Sequence, residues 1–277
     1  MGGAWSYGER VRDASLPEEM LAVARPIAVD VADRLRTSLE GAGPAITTKS
    51  TATDLVTELD TWAEGHIVER LLAARPDDAI LGEEGTSVTG TSGVTWSIDP
   101  IDGTVNFVHA LPGFCVSIGA VVDGRSVAGV VASPLHGEVF TATTGGGARC
   151  NDRPIRCAEP TSLRRAVVGT GFGYDPERRR RQGEVVVKVI PHIADIRRLG
   201  AAALDLCWVG CGRLDGYWEV GLNPWDHAAG SLIATESGAR CQIDPGAGPS
   251  DTYAIAAPAV IFDDLAELLR GAGAPDV

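Results

Sequence analysis

Two aspartates, Asp99 and Asp102, follow a short apolar segment at residues 94–98. That segment is typical of an interior strand, and Pro100 and Gly103 predict a turn that ends it. We therefore expect both carboxylates at the mouth of one strand. Two ionised carboxylates that close together repel each other in a low-dielectric site, so they either share a proton or neutralise their charge with cations. Hard divalent ions such as Mg²⁺ prefer such oxygen ligands.

Two further acidic segments strengthen this interpretation. Glu83 and Glu84 follow a second apolar segment at residues 79–81, and Asp226 lies in the expected first turn of an apolar helix. Alone, a pair of glutamates is usually surface charge, and an aspartate in that position is often only a helix cap. Together with the aspartate pair, these side chains supply enough carboxylates for more than one metal ion.

The order of these segments resembles the inositol monophosphatase family of Mg²⁺-dependent, lithium-sensitive phosphomonoesterases. The matching motifs are G-E-E at residues 82–84, D-P-x-D-G-T-x-N at 99–106 and W-D-x-A-A-G at 225–230. Residues 49–57, 199–205 and 217–219 also match, so the resemblance spans roughly residues 15–271. It implies a layered α-β-α-β-α sandwich of the sugar-phosphatase type, with a metal site between two halves.

The resemblance also implies a set of metal ligands. Glu83, Asp99 and the backbone carbonyl of Ile101 would hold one Mg²⁺, and Asp99, Asp102 and Asp226 would hold a second. A third, weaker ion is expected near Glu83.

Catalytic roles follow from the same resemblance. Thr104 would position the nucleophilic water, and Asp60 would orient the Thr104 hydroxyl. Glu84 is expected to orient a metal-bound water. Lys49 and Asp54 match family positions near the site, although each could equally form a structural ion pair.

A short helix is predicted directly after the aspartate pair, over residues 103–106. Asp102 would be its N-cap. The free backbone N–H groups of Gly103 and Thr104 would then bind phosphate oxygens.

Substrate contacts are expected from a different set of residues. Glu219 matches a carboxylate that accepts hydrogen bonds from substrate hydroxyls, and Ala202 matches a small residue that leaves room for a ring. Asp226 would contact the substrate as well as metal. Thr170 and Asp205 are weaker candidates for the same rim.

Roles are also expected for Trp225 and His227, the two neighbours of Asp226. Trp225 should form a wall of the pocket. His227 is interpreted as a packing or surface residue, because a divalent site with an activated water needs no histidine base.

These residues together predict hydrolysis of a small phosphate monoester by a metal-activated water. The preferred substrate is inositol 1-phosphate, and the same chemistry on histidinol phosphate or fructose 1,6-bisphosphate is the alternative. Ala201 stands where relatives often carry Ser or Thr, which weakens the case for strict inositol specificity. A nucleotide bisphosphate is disfavoured by the uncharged segment after D-G-T. A non-catalytic interaction protein is a further alternative, since some bacterial relatives bind transcription machinery.

Composition limits the partners. The 277 residues are 44% hydrophobic and 22% charged, as in a soluble globular protein, and their net charge is −13. This charge disfavours nucleic-acid binding. The only basic run, at residues 178–181, is interpreted as a solvated helix face. An anionic substrate must then be attracted by bound cations.

Cysteine spacing and the N-terminus bear on location. The six cysteines form no CxxC pair, and Cys207 and Cys211 are interpreted as core residues of one helix. No secretion signal or membrane-spanning run is evident, so a cytoplasmic location is expected. A homodimer is implied by the resemblance only.

The elements that position these residues are predicted to form a mixed α/β, or layered α+β, fold. An α+β half at 14–148 and an α/β half at 149–271 should pack as one unit. An antiparallel meander is expected over residues 114–143. Helices are predicted at 16–40, 57–74, 176–190, 200–211, 225–237 and 260–270, and further strands at 193–197, 215–220, 239–243 and 253–257.

Overall fold

The computed structural model of the chain describes residues 15–39, 46–48, 55–160, 162–246 and 251–277. Two β-sheets alternate with three layers of helices. Apolar side chains join each pair of neighbouring layers, so that four clusters of buried residues run through the molecule. The predicted α-β-α-β-α sandwich is confirmed.

Seven α-helices supply three of the layers in the described part of the chain. The six helices predicted from apolar periodicity are confirmed, with ends within two residues of the prediction. No helix among the described residues is long and apolar enough to cross a membrane. The helices are α1 Ser15–Ser38, α2 Glu58–Ala74, α3 Thr104–Val108, α4 Pro176–Val189, α5 Ala202–Gly210, α6 Pro224–Glu236 and α7 Ala259–Ala272.

The first large sheet contains eight strands in the order β10-β9-β8-β7-β6-β5-β3-β4, and a separate hairpin, β1-β2, precedes it. Strands β6, β7 and β8 pair antiparallel in sequence order, which confirms the predicted meander. The strands are β1 Ile46–Thr48, β2 Leu55–Thr57, β3 Ala79–Gly82, β4 Ser87–Val88, β5 Val94–Asp102, β6 Cys115–Val122, β7 Arg125–Ser133, β8 Glu138–Thr143, β9 Gly147–Cys150 and β10 Arg153–Pro154.

The second large sheet contains five strands in the order β12-β11-β13-β15-β14. The pairs β12-β11 and β11-β13 are parallel, as expected where helices alternate with strands, and the pairs β13-β15 and β15-β14 are antiparallel. Helices α4 and α7 cover its outer face, with Val185 and Leu265 buried there. The strands are β11 Val167–Thr170, β12 Asp195–Arg197, β13 Gly216–Leu222, β14 Ala239–Asp244 and β15 Thr252–Pro258.

Strand β5 is longer than predicted. It continues past Pro100 to Asp102, with an irregularity in its pairing with β6 between Asp99 and Asp102. Proline has no N–H to donate to a ladder, and a bulge accommodates that gap without ending the strand. The prediction that the strand stops at Ile98 was therefore wrong, although both carboxylates still lie at its end.

Helix α6 packs closely on the first sheet because of two glycines. Gly119 on β6 pairs with Gly129 on β7, and both face this helix. A Cβ on Gly119 would lie 2.9 Å from Ala228 Cβ, and one on Gly129 would lie 2.9 Å from Ala229 Cα. Both distances are shorter than carbon atoms can approach. The glycine pair thus brings the start of α6, with Asp226, to the mouth of β5.

Candidate active site

A cleft of about 550 Å³ opens where the first sheet, helix α5 and helix α6 meet. Its walls come from both halves of the chain, so the site depends on how the two sheets pack. Ten predicted residues line this cleft: Glu83, Asp99, Ile101, Asp102, Gly103, Thr104, Ala202, Glu219, Trp225 and Asp226.

The aspartate pair is buried at the base of the cleft. Asp99 and Asp102 expose only 2% and 7% of their surface. Oδ1 of Asp99 accepts a hydrogen bond of 3.0 Å from the backbone N–H of Ile101, which fixes the carboxylate within the bulge of β5. Asp99 is thus held by local backbone rather than by a cationic side chain.

Asp102 does not cap the short helix that follows it. Gly103 occupies the N-cap position of α3, with a positive φ of 92°, and the helix covers Thr104–Val108. The Asp102 carboxylate instead accepts the backbone N–H groups of Ala202, at 3.2 Å, and Ala203, at 2.7 Å. It therefore stabilises the N-terminus of α5, a hundred residues away in sequence, because those N–H groups have no partner within their own helix.

The turn that carries Glu83 and Glu84 is held by a buried carboxylate from α2. Glu64, which is 3% exposed, accepts the backbone N–H of Glu84 at 2.7 Å and that of Thr86 at 3.0 Å. A Cβ on Gly82 would overlap the Glu64 carboxylate, so the glycine of the G-E-E motif makes room for it. This contact positions Glu83 at the cleft.

Helix α2 also reaches the other side of the site. The Thr104 hydroxyl lies 3.3 Å from Oδ1 of Asp60 and 3.1 Å from the carbonyl oxygen of Ile101. Asp60 is 1% exposed. Asp60 and Glu64 are four residues apart and so share the buried face of one helix. One rigid element thereby fixes two different loops of the cleft.

Asp226 enters the cleft from the first turn of α6. Asn223 is the N-cap, and its backbone N–H donates to Oδ2 of Asp226 at 2.6 Å. Asp226 therefore caps the helix and also belongs to the carboxylate cluster of the cleft, which consists of Glu83, Asp99, Asp102 and Asp226.

The carboxylates of the cleft raise one another's pKa. Burial, and then the charge of Glu83, raises the pKa of Asp99 well above its usual value, and Asp102 and Asp226 add to this effect. Burial raises the pKa of Asp102 to about 7, against the lowering effect of the Ala203 N–H. Burial and Glu83 also raise the pKa of Asp226 well above normal. A bound cation would reverse these shifts.

The donor set fits a hard divalent cation. Glu83, Asp99, Asp102 and Asp226 offer only oxygen, and the charge of Glu83 raises the pKa of all three aspartates. Within the described residues, no three His, Cys, Asp or Glu side chains already stand in the arrangement of an ion site. Binding would thus require the carboxylates to turn toward the ion.

The opposite end of the cleft has a different chemistry. Glu219, on β13, accepts a hydrogen bond of 2.6 Å from the Tyr217 hydroxyl. Burial raises the pKa of Glu219, while the Tyr217 hydrogen bond and the Arg198 charge lower it. This carboxylate has a donor and a cation beside it, and its charge also raises the pKa of Asp102 and Asp226.

Some predicted residues lie elsewhere. Thr170 and Asp205 are each 1% exposed and are not among the residues that line the cleft, so the structure does not place them at its rim. The Glu84 side chain also lies outside the lining. His227 is half-buried, and burial lowers its pKa to about 4, so it is neutral at pH 7. Lys49 and Asp54 lie outside the described residues.

Sequence reasoning missed Glu64, Tyr217 and Arg198. A signal for Glu64 existed, because a glutamate one turn after Asp60 lies on the same face as the apolar residues of α2. For Tyr217 the signal is its spacing from Glu219, because residues two apart in a strand lie on the same face. Arg178, which had been assigned to a solvated helix face, lines the cleft and pairs with Asp251.

Comparison with known proteins agrees with this fold. Residues 16–271 match the sequence model of the Inositol monophosphatase family. The family match and the layered α/β fold together identify the chain as a phosphomonoesterase. The chain belongs to the inositol monophosphatase family.

Individual relatives carry two kinds of name. Inositol-1-monophosphatase SuhB of Mycobacterium tuberculosis is 46% identical over 236 residues, which cover 82% of this chain and 81% of the relative. Nus factor SuhB of Pasteurella multocida is 44% identical, over 69% of this chain and 73% of the relative. The crystal structure of the extragenic suppressor protein suhB from Bartonella henselae superposes with a TM-score of 0.83 at 34% identity, covering 91% of this chain and 98% of that one.

Proposed function

We propose that the protein hydrolyses a small polyol phosphate with the help of Mg²⁺, and that inositol 1-phosphate is the preferred substrate. The observation that carries this proposal is the convergence of Glu83, Asp99, Asp102 and Asp226 in one cleft, with their pKa values raised by burial and mutual repulsion. The family is a family of phosphomonoesterases, and its relatives include proteins named inositol-1-monophosphatase.

Two or three Mg²⁺ ions would be held by these carboxylates together with the Ile101 carbonyl. When bound, Mg²⁺ neutralises phosphoryl charge and makes water a better nucleophile. The third ion near Glu83, and the inhibition by lithium, are proposed from the family resemblance.

Groups of the protein would then orient the attacking water and the phosphate. The Thr104 hydroxyl, held by Asp60, accepts a hydrogen bond from the attacking water and so fixes its direction. The backbone N–H groups of Gly103 and Thr104 bind phosphate oxygens. Glu84 would contribute through an intervening water, since its side chain does not line the cleft.

The polyol would occupy the far end of the cleft. Glu219 accepts hydrogen bonds from its hydroxyls, Ala202 leaves room for the ring and Trp225 forms a wall. Asp226 lies between the two ends and would contact both metal and a hydroxyl.

Phosphate release from inositol 1-phosphate, histidinol phosphate, fructose 1,6-bisphosphate and adenosine 3′,5′-bisphosphate would test the proposal. We expect turnover with Mg²⁺ that is abolished by a chelator and reduced by Li⁺, with inositol 1-phosphate turned over most efficiently. If another of these substrates is preferred, the proposed reaction stands and the proposed substrate is wrong. No metal-dependent release from any of them would overturn the proposal.

Glu219→Gln would test how the substrate is recognised. An amide is a weaker acceptor than a carboxylate, so we expect kcat/KM for inositol 1-phosphate to fall about tenfold or more. An aryl phosphate has no hydroxyls for Glu219 to contact and should lose far less. Equal losses on both substrates would remove Glu219 from the specificity set.

A second candidate function is interaction with transcription machinery, which is favoured by relatives named Nus factor SuhB. The intact carboxylate set makes catalysis the primary proposal, because a binding module has no chemical need for it. Capture of RNA polymerase components by a protein without phosphatase activity would favour this second function. A cytoplasmic location, a homodimer and two closely packed halves at 14–148 and 149–271 are proposed alongside either function.

A further inference from the structure

Two glycines at β11 lie beneath the end of the cleft that contains Glu219. Gly169 lies opposite Tyr217 on the parallel strand β13. Two residues further along, Gly171 is buried directly beside Glu219. Residues two apart in a strand point to the same face, so the two glycines share the face of Tyr217 and Glu219. They leave a flat backbone surface on which these two larger side chains lie.

The space for a side chain at Gly171 is already filled by Glu219. The three atoms nearest to a Cβ on Gly171 are the carboxylate carbon and both carboxylate oxygens of Glu219, and all three would overlap it. Gly171 does not have the positive φ that favours glycine, so its backbone conformation is open to other residues. Glycine is therefore required at this position by the Glu219 carboxylate.

Glu219 is held between this glycine and Tyr217. Its Oε2 atom accepts the 2.6 Å hydrogen bond from the Tyr217 hydroxyl, and Tyr217 itself is fully buried. The Tyr217 ring lies against Gly169, where a Cβ would be 3.3 Å from Cδ2 of the ring. A methyl group on Gly171 would displace the carboxylate, and a displaced carboxylate loses its present geometry with the Tyr217 hydroxyl.

The Glu219 side chain, rather than the backbone, would move if residue 171 carried a methyl group. A glutamate can adopt another rotamer at small cost, whereas a shift of β11 would break its ladder with β13. Gly119 and Gly129 differ in this respect, because a Cβ on either would meet backbone and Cβ atoms of α6. Alanine at position 171 would therefore relocate one carboxylate and leave the fold in place.

We propose that Gly171 determines specificity by positioning Glu219: it leaves the space that the carboxylate occupies, and a side chain there would turn the carboxylate away from substrate hydroxyls. Gly171 is not among the residues that line the cleft, whereas Glu219 is, so the glycine acts through Glu219. This inference rests on the proposed function, in which Glu219 accepts hydrogen bonds from the hydroxyls of a polyol phosphate.

The test compares Gly171→Ala, Glu219→Ala and the double variant with the wild type. The measured quantity is the ratio of kcat/KM for inositol 1-phosphate to kcat/KM for an aryl phosphate without hydroxyls. We expect Gly171→Ala to lower this ratio about tenfold, as the loss of one charged acceptor does. Glu219→Ala should lower it as well, and the double variant should match Glu219→Ala, because the group that the methyl displaces is gone.

Thermal unfolding gives a second measurement that needs no substrate. Gly171→Ala should lower the melting temperature of the wild type by about 2–6 °C, as overpacking does. In the Glu219→Ala background the same change should not lower it, because the methyl fills vacated space. Gly183→Ala on α4 is the control, since a Cβ there meets no atom of the described residues within 4 Å outside its own helix backbone. It should lower neither the ratio nor the melting temperature.

The inference is overturned if Gly171→Ala keeps the wild-type ratio, or if its effects are equal with and without the Glu219 side chain. If Gly171→Ala does not fold, folding of the double variant supports the inference, and failure of both variants to fold overturns it.

Failure of the proposed function would be visible separately, as a wild type that does not hydrolyse inositol 1-phosphate. The unfolding comparison then decides the role of Gly171 by itself. A loss of stability that depends on the Glu219 side chain supports the positioning role, and a loss that is independent of Glu219 overturns it.

Discussion

The two ends of the cleft use carboxylates in opposite ways. At the mouth of β5, Asp99 and Asp102 accept hydrogen bonds from backbone N–H groups, Asp102 also accepts one from the Cys115 thiol, and the charge of Glu83 raises the pKa of both. At the other end, Glu219 has the Tyr217 hydroxyl and the charge of Arg198 beside it. The carboxylates of the first end raise one another's pKa, whereas the second end has a hydrogen-bond donor and a cation that lower the pKa of its carboxylate against burial. Under the proposed function, the first end would hold metal and phosphate, and the second end would hold the remainder of the substrate.

The largest expected effect comes from weakening the first end. Asp99→Asn removes the carboxylate that is proposed to hold both metal ions, so we expect kcat/KM to fall about a thousandfold, since metal catalysis contributes several kcal/mol. The same change removes repulsion in the metal-free protein. Its melting temperature in chelator should therefore rise, by about 2–4 °C for each kcal/mol relieved. Steady-state kinetics and thermal unfolding measure the two effects.

Asp77→Asn is a suitable control, because Asp77 is an exposed carboxylate outside the cleft. Asp77→Asn should change neither kcat/KM nor the melting temperature in chelator. Retained activity in Asp99→Asn, or a lower melting temperature in chelator, would contradict the difference drawn between the two ends.

An intermediate effect is expected from the residue that positions Glu83. In Glu64→Gln, an amide cannot accept the N–H groups of both Glu84 and Thr86 in the way that the carboxylate does. The turn should loosen, and the affinity for Mg²⁺ should fall about tenfold, as is usual for residues that support metal ligands.

Calorimetric titration with Mg²⁺ and the Mg²⁺ concentration that gives half-maximal activity both measure this change. Glu69→Gln, on the exposed face of the same helix, is the control. A kcat at saturating Mg²⁺ close to that of the wild type would identify Glu64 as a positioning residue. An unchanged Mg²⁺ affinity would instead make it a purely structural one.

The smallest effect is expected at the second end. Tyr217→Phe removes the hydrogen bond to Glu219 and leaves that carboxylate short of a donor. We expect unfolding free energy to fall by roughly 1–2 kcal/mol, and kcat/KM for inositol 1-phosphate to fall several-fold. Mg²⁺ affinity should not change. Denaturant unfolding and the kinetics check both, and a loss of Mg²⁺ affinity would show that the two ends are coupled.

Apolar periodicity and turn residues were sufficient to predict most elements of the fold. Six helices and the antiparallel meander follow from local patterns that burial enforces along the chain. The error at β5 arose because Pro100 is a strong local signal for a turn, whereas pairing with β6 continues on the other side of a bulge. Ladder hydrogen bonds to a neighbouring strand are not visible in local sequence.

For the site, the sequence by itself determined which residue types were available: four carboxylates in three separate motifs, Thr104 and Glu219. Only the tertiary structure decided their partners. Asp102 bonds to α5 rather than to α3, and Glu64 and Arg198 reach the cleft from distant segments. Contacts between residues far apart in the chain depend on how the layers pack, and side-chain spacing along one segment carries no information about them.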